Sequence, residues 1–192
     1  MPLILYGPEG EQFTIYPGWK NVARPQVGKW PFGTQLLLQD GRKFRFAKAG
    51  GSNLVIGNVI QAAANEANHV NTTAAANAVD ARSLTTTLGA TLASLDQYFQ
   101  GYGVISVDPG AGQVYIFDTT PAVASGGSFV GVLPGGHAIR VALTTGSRVD
   151  LIRNPYHNVI QAPATTLTGA VVGVAVSIIV TSETGNDFGW LQ

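Results

Sequence analysis

From Gly33 onward, short apolar stretches recur about every ten residues, and each is closed by a turn signal. The last third of the chain shows the pattern most clearly. SRVDLIR (147–153) alternates, with Val149 and Leu151 on one face and Arg148, Asp150 and Ile152 on the other. That is the period of a half-buried strand. Asn154-Pro155 ends it, because proline brings no N–H to a ladder and holds the residue before it extended. VIQAP (159–163) predicts a second short strand, closed by Pro163. GAVVGVAVSIIV (169–180) is almost wholly apolar and rich in Val and Ile, which predicts a strand covered on both faces. Its twelve residues are too few to span a bilayer, and its glycines argue against a core helix. FGWLQ (188–192) predicts a terminal strand ending on an aromatic.

The same reading runs through the middle of the chain. TQLLLQ-DG-RKFRFA (34–47) predicts a hairpin, with Asp40-Gly41 supplying two positive-φ residues to a tight turn. On its second strand Phe44 and Phe46 face one way, and Lys43 and Arg45 the other. LVIGNVIQ (54–61) predicts another strand. The Ala- and Asn-rich stretch 62–81 lacks an apolar stripe and reads as a loop leading into a strand, with a helix as the other reading. Leu84, Thr86 and Leu88 alternate within a strand over 82–93, and 94–99 predicts one helical turn. VISVD, QVYIFDT, FVGVLP and AIRVAL predict four more strands between 104 and 143. Strands at this spacing favour an all-β fold, an antiparallel β-sandwich or jelly-roll-like barrel over 33–192, and not βαβ units.

Residues 1–32 break the pattern. Five prolines (Pro2, Pro8, Pro17, Pro25, Pro31) allow neither a long helix nor a central strand. Yet the stretch also holds Tyr16, Trp19 and Trp30, too apolar for a free tail. It reads as an extended N-terminal arm that packs either on its own domain or on a neighbour. There is no basic n-region before its short apolar run, so no signal peptide is expected.

Composition changes the picture in one respect. Charged residues make up only 11% of the chain, where about 25% is usual. A lone soluble protein normally carries more charge to stay apart from its copies. The deficit points to surface that is covered in use, by sister subunits or by a larger particle. Formal net charge is zero, but residues 1–48 hold seven basic and three acidic side chains. A basic, aromatic N-terminal part suits docking on an acidic surface. The basic residues form no dense run, so nucleic acid is not expected as a partner. With no cysteine, disulfides and thiolate metal sites are excluded.

Candidate chemistry is thin. His69, His137 and His157 show no HxH or HExxH spacing that would bring two ligands to one metal. No GxSxG elbow, Walker lysine or GxGxxG before a helix occurs. Asp108-Pro109-Gly110 and Asp118-Thr119-Thr120 read as turn chemistry. No enzyme activity, cofactor, metal or membrane partner is therefore expected. A pair of carboxylates converging from distant positions, as in a depolymerising glycosidase, is the enzyme reading that stays open.

Five segments then stand in order: DGRKFRFAKAGGSNLVIGNVIQ (40–61), DQYFQGYGVISVDPGAGQVYIFDT (96–119), SRVDLIRNPYHNVIQAP (147–163), TGAVVGVAV (168–176) and FGWLQ. The ordered series resembles a family of tailed-bacteriophage virion proteins encoded in head-gene modules, over about 33–192. The resemblance implies a β-rich head decoration (cement) protein on the capsid exterior. Its partners would be the major capsid protein and its own copies, as a homotrimer. Tyr16, Trp19 and Trp30 in the arm, and Phe188 and Trp190 at the end, are the candidate contact residues, because large rigid aromatics are enriched at interfaces. The competing reading for each is a core aromatic. The alternative function is a fibre or receptor-binding virion protein that recognises a host surface glycan.

Overall fold

The computed structural model describes residues 30–38, 40–179, 181 and 187–192, together with the backbone of 4–6. In chain order its strands are β1 (Ile4–Tyr6), β2 (Gln35–Leu37), β3 (Lys43–Lys48), β4 (Val59–Gln61), β5 (Thr72–Ala74), β6 (Ser83–Thr87) and β7 (Tyr102–Val107). There follow β8 (Val114–Ile116), β9 (Ser128–Val132), β10 (Arg148–Ile152), β11 (Ile160–Gln161), β12 (Val171–Val174) and β13 (Phe188–Leu191). Among the described residues the only helical element is one 3-10 turn, Ala67–His69. The fold is all-β, with antiparallel sheets that include a curled half-barrel. Contacts divide the chain into two compact units, Asn65–Asn154 and Met1–Ala64 with Pro155–Gln192, where the sequence pattern had suggested one body over 33–192.

Asn65–Asn154 carries one six-stranded sheet in the order β8-β7-β10-β5-β6-β9, antiparallel throughout. Strict alternation drives one face inward: Leu84 and Thr86 on β6, Ile105 on β7, Phe129 on β9, Val149 and Leu151 on β10. The chain leaving β8 also meets β9. Asp118 donates its N–H to the Val132 carbonyl at 2.8 Å, and Val132 donates back to Thr119 at 3.0 Å. The two outer strands are thereby tied, which removes exposed ladder groups that would otherwise pair with other chains. Phe117 fills the interior, with Phe129 edge-on at 5.6 Å and 76°. Glycine makes the room for it. A Cβ at Gly103 would lie 3.0 Å from the Phe117 ring, and one at Gly131 would lie closer still.

Three expectations change in this unit. The stretch 62–81 does contain a strand: β5, set between β10 and β6, with Thr72 and Ala74 inward. Segment 94–99 is no helical turn but a chain of i→i+3 turns, Gln97 to Ser94 and Phe99 to Asp96. Positive φ at Asp96 (55°) and Gln100 (54°) stops any helix from propagating. AIRVAL is not a strand either. Its buried Ile139 and Leu143 pair singly with 77–81, Ile139 N–H to Ala81 O and Leu143 bridged to Asn77.

The other unit is built from the two ends of the chain. One sheet runs β1-β2-β3-β13, with β1 parallel to β2 and the other pairs antiparallel. A second runs β11-β4-β12, antiparallel. Isolated bridges Ala49–Val159 and Ala175–Leu191 join chain segments of the two sheets. Phe44 and Phe46 are buried, as the alternation required, while Lys43 is exposed. The β2–β3 turn is wider than expected. Leu38 donates to Arg42 O at 3.0 Å, so the loop closes on those two residues and not tightly around Asp40-Gly41. Gly41 supplies the left-handed residue (φ 86°).

Two further corrections concern burial. LVIGNVIQ is interrupted: Asn58 N–H bonds to Val55 O and Gly57 takes φ 83°, so the named strand starts only at Val59. GAVVGVAVSIIV is not covered on both faces. Its strand is the short β12, and Val171 (53% exposed), Val174 (37%) and Ile178 (56%) face outward. The strand with every residue buried is instead β13.

Candidate functional site

An aromatic layer forms where β13 pairs with β3. Trp190 stands opposite Phe46, and Phe188 opposite Lys48. The Phe46 ring stacks on Phe188 at 5.8 Å and tilts on Trp190 at 5.4 Å. Trp30 joins from the arm, 5.3 Å from Trp190 and edge-on to Phe46 at 5.7 Å. Phe32 stacks between Phe188 (6.3 Å) and His157 (4.8 Å). Lys48 Nζ lies 3.5 Å from the Asp187 carboxylate and 5.9 Å from the Phe188 ring centre.

This layer contains three of the five contact residues expected from sequence, two of them buried. Phe188 (4% exposed) and Trp190 (1%) are core residues of their own unit, so their surface is already buried. The terminal strand is covered on both faces, with Leu191 packed in the Ile60–Ile179 cluster, which takes those aromatics out of reach. Trp30 is half-buried in the same layer. Tyr16 and Trp19 lie outside the described residues. As far as it is described, the arm packs on its own unit: the backbone of β1 pairs with β2, and Trp30 and Phe32 enter the aromatic layer.

A surface the sequence reading did not single out lies on the β11-β4-β12 side. Leu54 bridges Ile179, Asn58 accepts from Ala175, and Val59 pairs with Val174, all in one antiparallel register. The inward members Leu54, Ile60 and Ile179 are fully buried. Val55 (46%), Ile56 (58%) and Val59 (45%) stand exposed with Val171, Val174 and Ile178. Neither 49–65 nor 154–182 contains a charged residue. The chain's overall shortage of charge is thus concentrated here. Position, and not composition, was the signal that could have located this surface.

Several titratable groups of Asn65–Asn154 are tied into structure. His69 is fully buried: Nε2 lies 3.0 Å from the Thr91 carbonyl and Nδ1 meets the Tyr98 hydroxyl. A carbonyl only accepts, so Nε2 carries the proton and Nδ1 accepts from Tyr98. Gln97 Nε2 donates to the same hydroxyl at 3.3 Å. Burial pushes the Tyr98 hydroxyl up to about 12, against the opposing pull of the Arg153 charge. Asp108 caps its turn by accepting from Ala111 N–H at 3.2 Å, and Asp96 accepts from Thr120 N–H. His137 is exposed, and His157 is buried against Phe32. Among the described residues, no three His, Asp or Glu side chains converge as metal ligands, and no helix is long and apolar enough to cross a membrane.

An open cleft of about 560 Å³ lies over the 3-10 turn and the ends of β5 and β6. Asn68, Asn71, Thr72, Thr73 and Thr87 line it with amides and hydroxyls, without a charge or an aromatic ring.

Comparison with family models, with curated proteins and with solved structures gave no match to this chain.

Proposed function

We propose that this chain is a structural virion protein that decorates and stabilises a tailed-phage capsid. It binds the outer surface of the major capsid protein lattice and associates with its own copies, as a homotrimer. The observation that carries the reading is the exposed apolar surface on two segments, 49–65 and 154–182, that hold no charged residue. Val55, Ile56, Val59, Val171, Val174 and Ile178 are each at least 37% exposed on a unit whose core is otherwise well covered. Burying one such side chain stabilises a contact by roughly 1.5–3 kcal/mol if burial is complete. Many copies on a lattice would multiply small contacts into a large avidity. The ordered sequence resemblance to phage head proteins supplies the particle.

Copy number per purified particle, by quantitative mass spectrometry against the major capsid protein, tests it. A ratio near one, or a simple fraction of one, is expected. A few copies per particle would move the protein to a fibre, a vertex or the tail, and absence from particles would end the virion reading.

The cleft favours a second reading, a fibre-type protein that recognises a host glycan. Neutral amides and hydroxyls suit a polyhydroxylated ligand, although sugar sites commonly add an aromatic platform that this cleft lacks. A glycan array would show binding that Asn71→Ala and Thr87→Ala abolish; silence across the array would retire the idea.

A further inference from the structure

We infer that the cleft beside the 3-10 turn takes a neutral, linear polysaccharide, laid across β5, β6 and β9 so that several consecutive sugars touch the protein. This rests on the glycan-recognising reading above, and it names the class of glycan.

Two of the residues that line the cleft begin a row of hydroxyls. Thr73 on β5 pairs with Thr87 on β6, and Thr87 pairs with Ser128 on β9. All three are exposed on the outer face of the sheet. The inward Thr72 and Thr86 spend their hydroxyls on the Val149 and Thr73 carbonyls, at 2.7 and 2.8 Å. The outward three face solvent. Neighbouring strands lie about 4.7–4.9 Å apart, a step close to the length of one sugar in an extended chain. Each hydroxyl both donates and accepts, as a sugar hydroxyl does. A linear glycan running across the strands therefore meets a matching group at each step.

The wall of the cleft is held in place without a ligand. Asn71 donates its backbone N–H to the Asp150 carboxylate at 2.6 Å. Asn68 accepts from Gly89 N–H at 3.0 Å and donates its side-chain amide to the Thr91 hydroxyl at 2.7 Å. A preset wall lowers the ordering cost of binding. Val70, 47% exposed, adds an apolar patch for the C–H face of a ring. Charge then sets the class. No residue lining the cleft is charged. Two charges flank the row, and both are engaged: Arg148, opposite Thr73, donates to the Thr145 and Ser147 carbonyls at 2.9 and 3.1 Å, and Asp150 holds Asn71. The cleft thus offers an acidic sugar no cation to offset the loss of its hydration. With no aromatic ring to stack on, each sugar gains little, and affinity has to come from several sugars in line.

The test titrates the full chain with malto-, cello- and chito-oligosaccharides of one to six units and follows backbone amide shifts by NMR. In at least one series the dissociation constant should fall by about 10-fold or more between two and four units and then level off. The shifts should map to 68–73, Thr87 and Ser128. Ser128 lies beyond the cleft lining, so Ser128→Ala reads the row itself. It should weaken the four-unit ligand by about 3- to 10-fold, the worth of one hydrogen bond, and the loss should grow from two units to four. Thr87→Val keeps the shape, removes the hydroxyl and should weaken every length. Oligogalacturonates of the same lengths should bind more weakly than the neutral series. Binding of a single sugar with no gain from length, tighter binding of the acidic series, or no binding of any neutral series would overturn the inference. Hits on a glycan array would in each of those cases leave the glycan reading standing, and a silent array would end both.

Discussion

Both units of this protein expose valine and isoleucine on sheet surfaces, but they surround them differently. In Asn65–Asn154 the outward residues of β7 stand beside charge: Val107 is opposite Arg148, and Val104 opposite Asp150. Those apolar groups are interleaved with solvated side chains, which is ordinary protein surface. In the other unit Val59 faces Val174, and no charge occurs on either contributing segment. Exposed apolar area alone does not mark an interface; exposed apolar area stripped of charge is a much narrower signal.

The units also differ in how the chain builds them. Asn65–Asn154 is one uninterrupted segment with its own core cluster, from Ala74 to Leu151. The other needs both ends of the chain, since β13 completes the sheet begun by β2 and β3. Removing 188–192 should break this contrast most severely. It strips Phe188, Trp190 and Leu191 from one core and nothing from the other. Amide exchange should then show lost protection on β3, with β6, β7 and β10 unchanged. Equal loss in both units would mean that they fold as one.

The next effect belongs to the half-barrel. Gly131→Val should destabilise Asn65–Asn154 by several kcal/mol, because the added carbons would enter the space of Phe117. Chemical denaturation would read the loss. Phe117→Leu in the same chain should recover part of it by vacating that space, and no recovery would place the strain elsewhere.

The β character, the inward faces of β3, β6 and β10, and the hairpin around Gly41 were legible in the sequence, because period-two alternation is written locally. Burial on both faces was misread. GAVVGVAVSIIV looks more buried than FGWLQ, yet β13 is the covered strand because pairing with β3 and packing on Ile179 are both distant in sequence. The strand β5 was missed for a related reason. Thr72-Thr73-Ala74 is only three residues within an Ala- and Asn-rich stretch, too short to show an alternation, and its pairing with β10 and β6 supplies what the local sequence does not. The candidate contact aromatics followed the same logic: large rings suit a core as well as an interface, and only the tertiary pairing decides between them.

Trp190 gives a smaller and sharper measurement. Its ring is buried, but its Nε1 has no hydrogen-bond partner among the described residues. Trp190→Ala should cost about 3–5 kcal/mol as a large core truncation. Trp190→Phe should cost much less, since it keeps an aromatic surface and removes a donor that gains nothing where it lies. Near-equal losses for the two variants would mean that the indole nitrogen is satisfied in solution.

The smallest expected effect lies at Tyr98 and carries its own sign. The hydroxyl is held protonated by burial, pushed up to about 12 from an ordinary value near 10. Between those values the unfolded chain has lost the proton and the folded chain keeps it. Stability should therefore fall as pH rises from about 10 towards 12, and this contribution should be whole below pH 10. Tyr98→Phe removes both the proton and the donor to His69 Nδ1. At pH 7 the variant should be less stable by about 1–3 kcal/mol, the cost of an unpaired buried acceptor. Its disadvantage should then shrink as pH climbs, because it lacks the wild-type decline. Thermal melts of both proteins across pH 7–12 would show two curves that converge. Parallel curves would mean that Tyr98 loses its proton equally easily folded and unfolded, and the buried hydroxyl–imidazole pair would no longer distinguish the core of Asn65–Asn154 from the all-aromatic layer of the other unit.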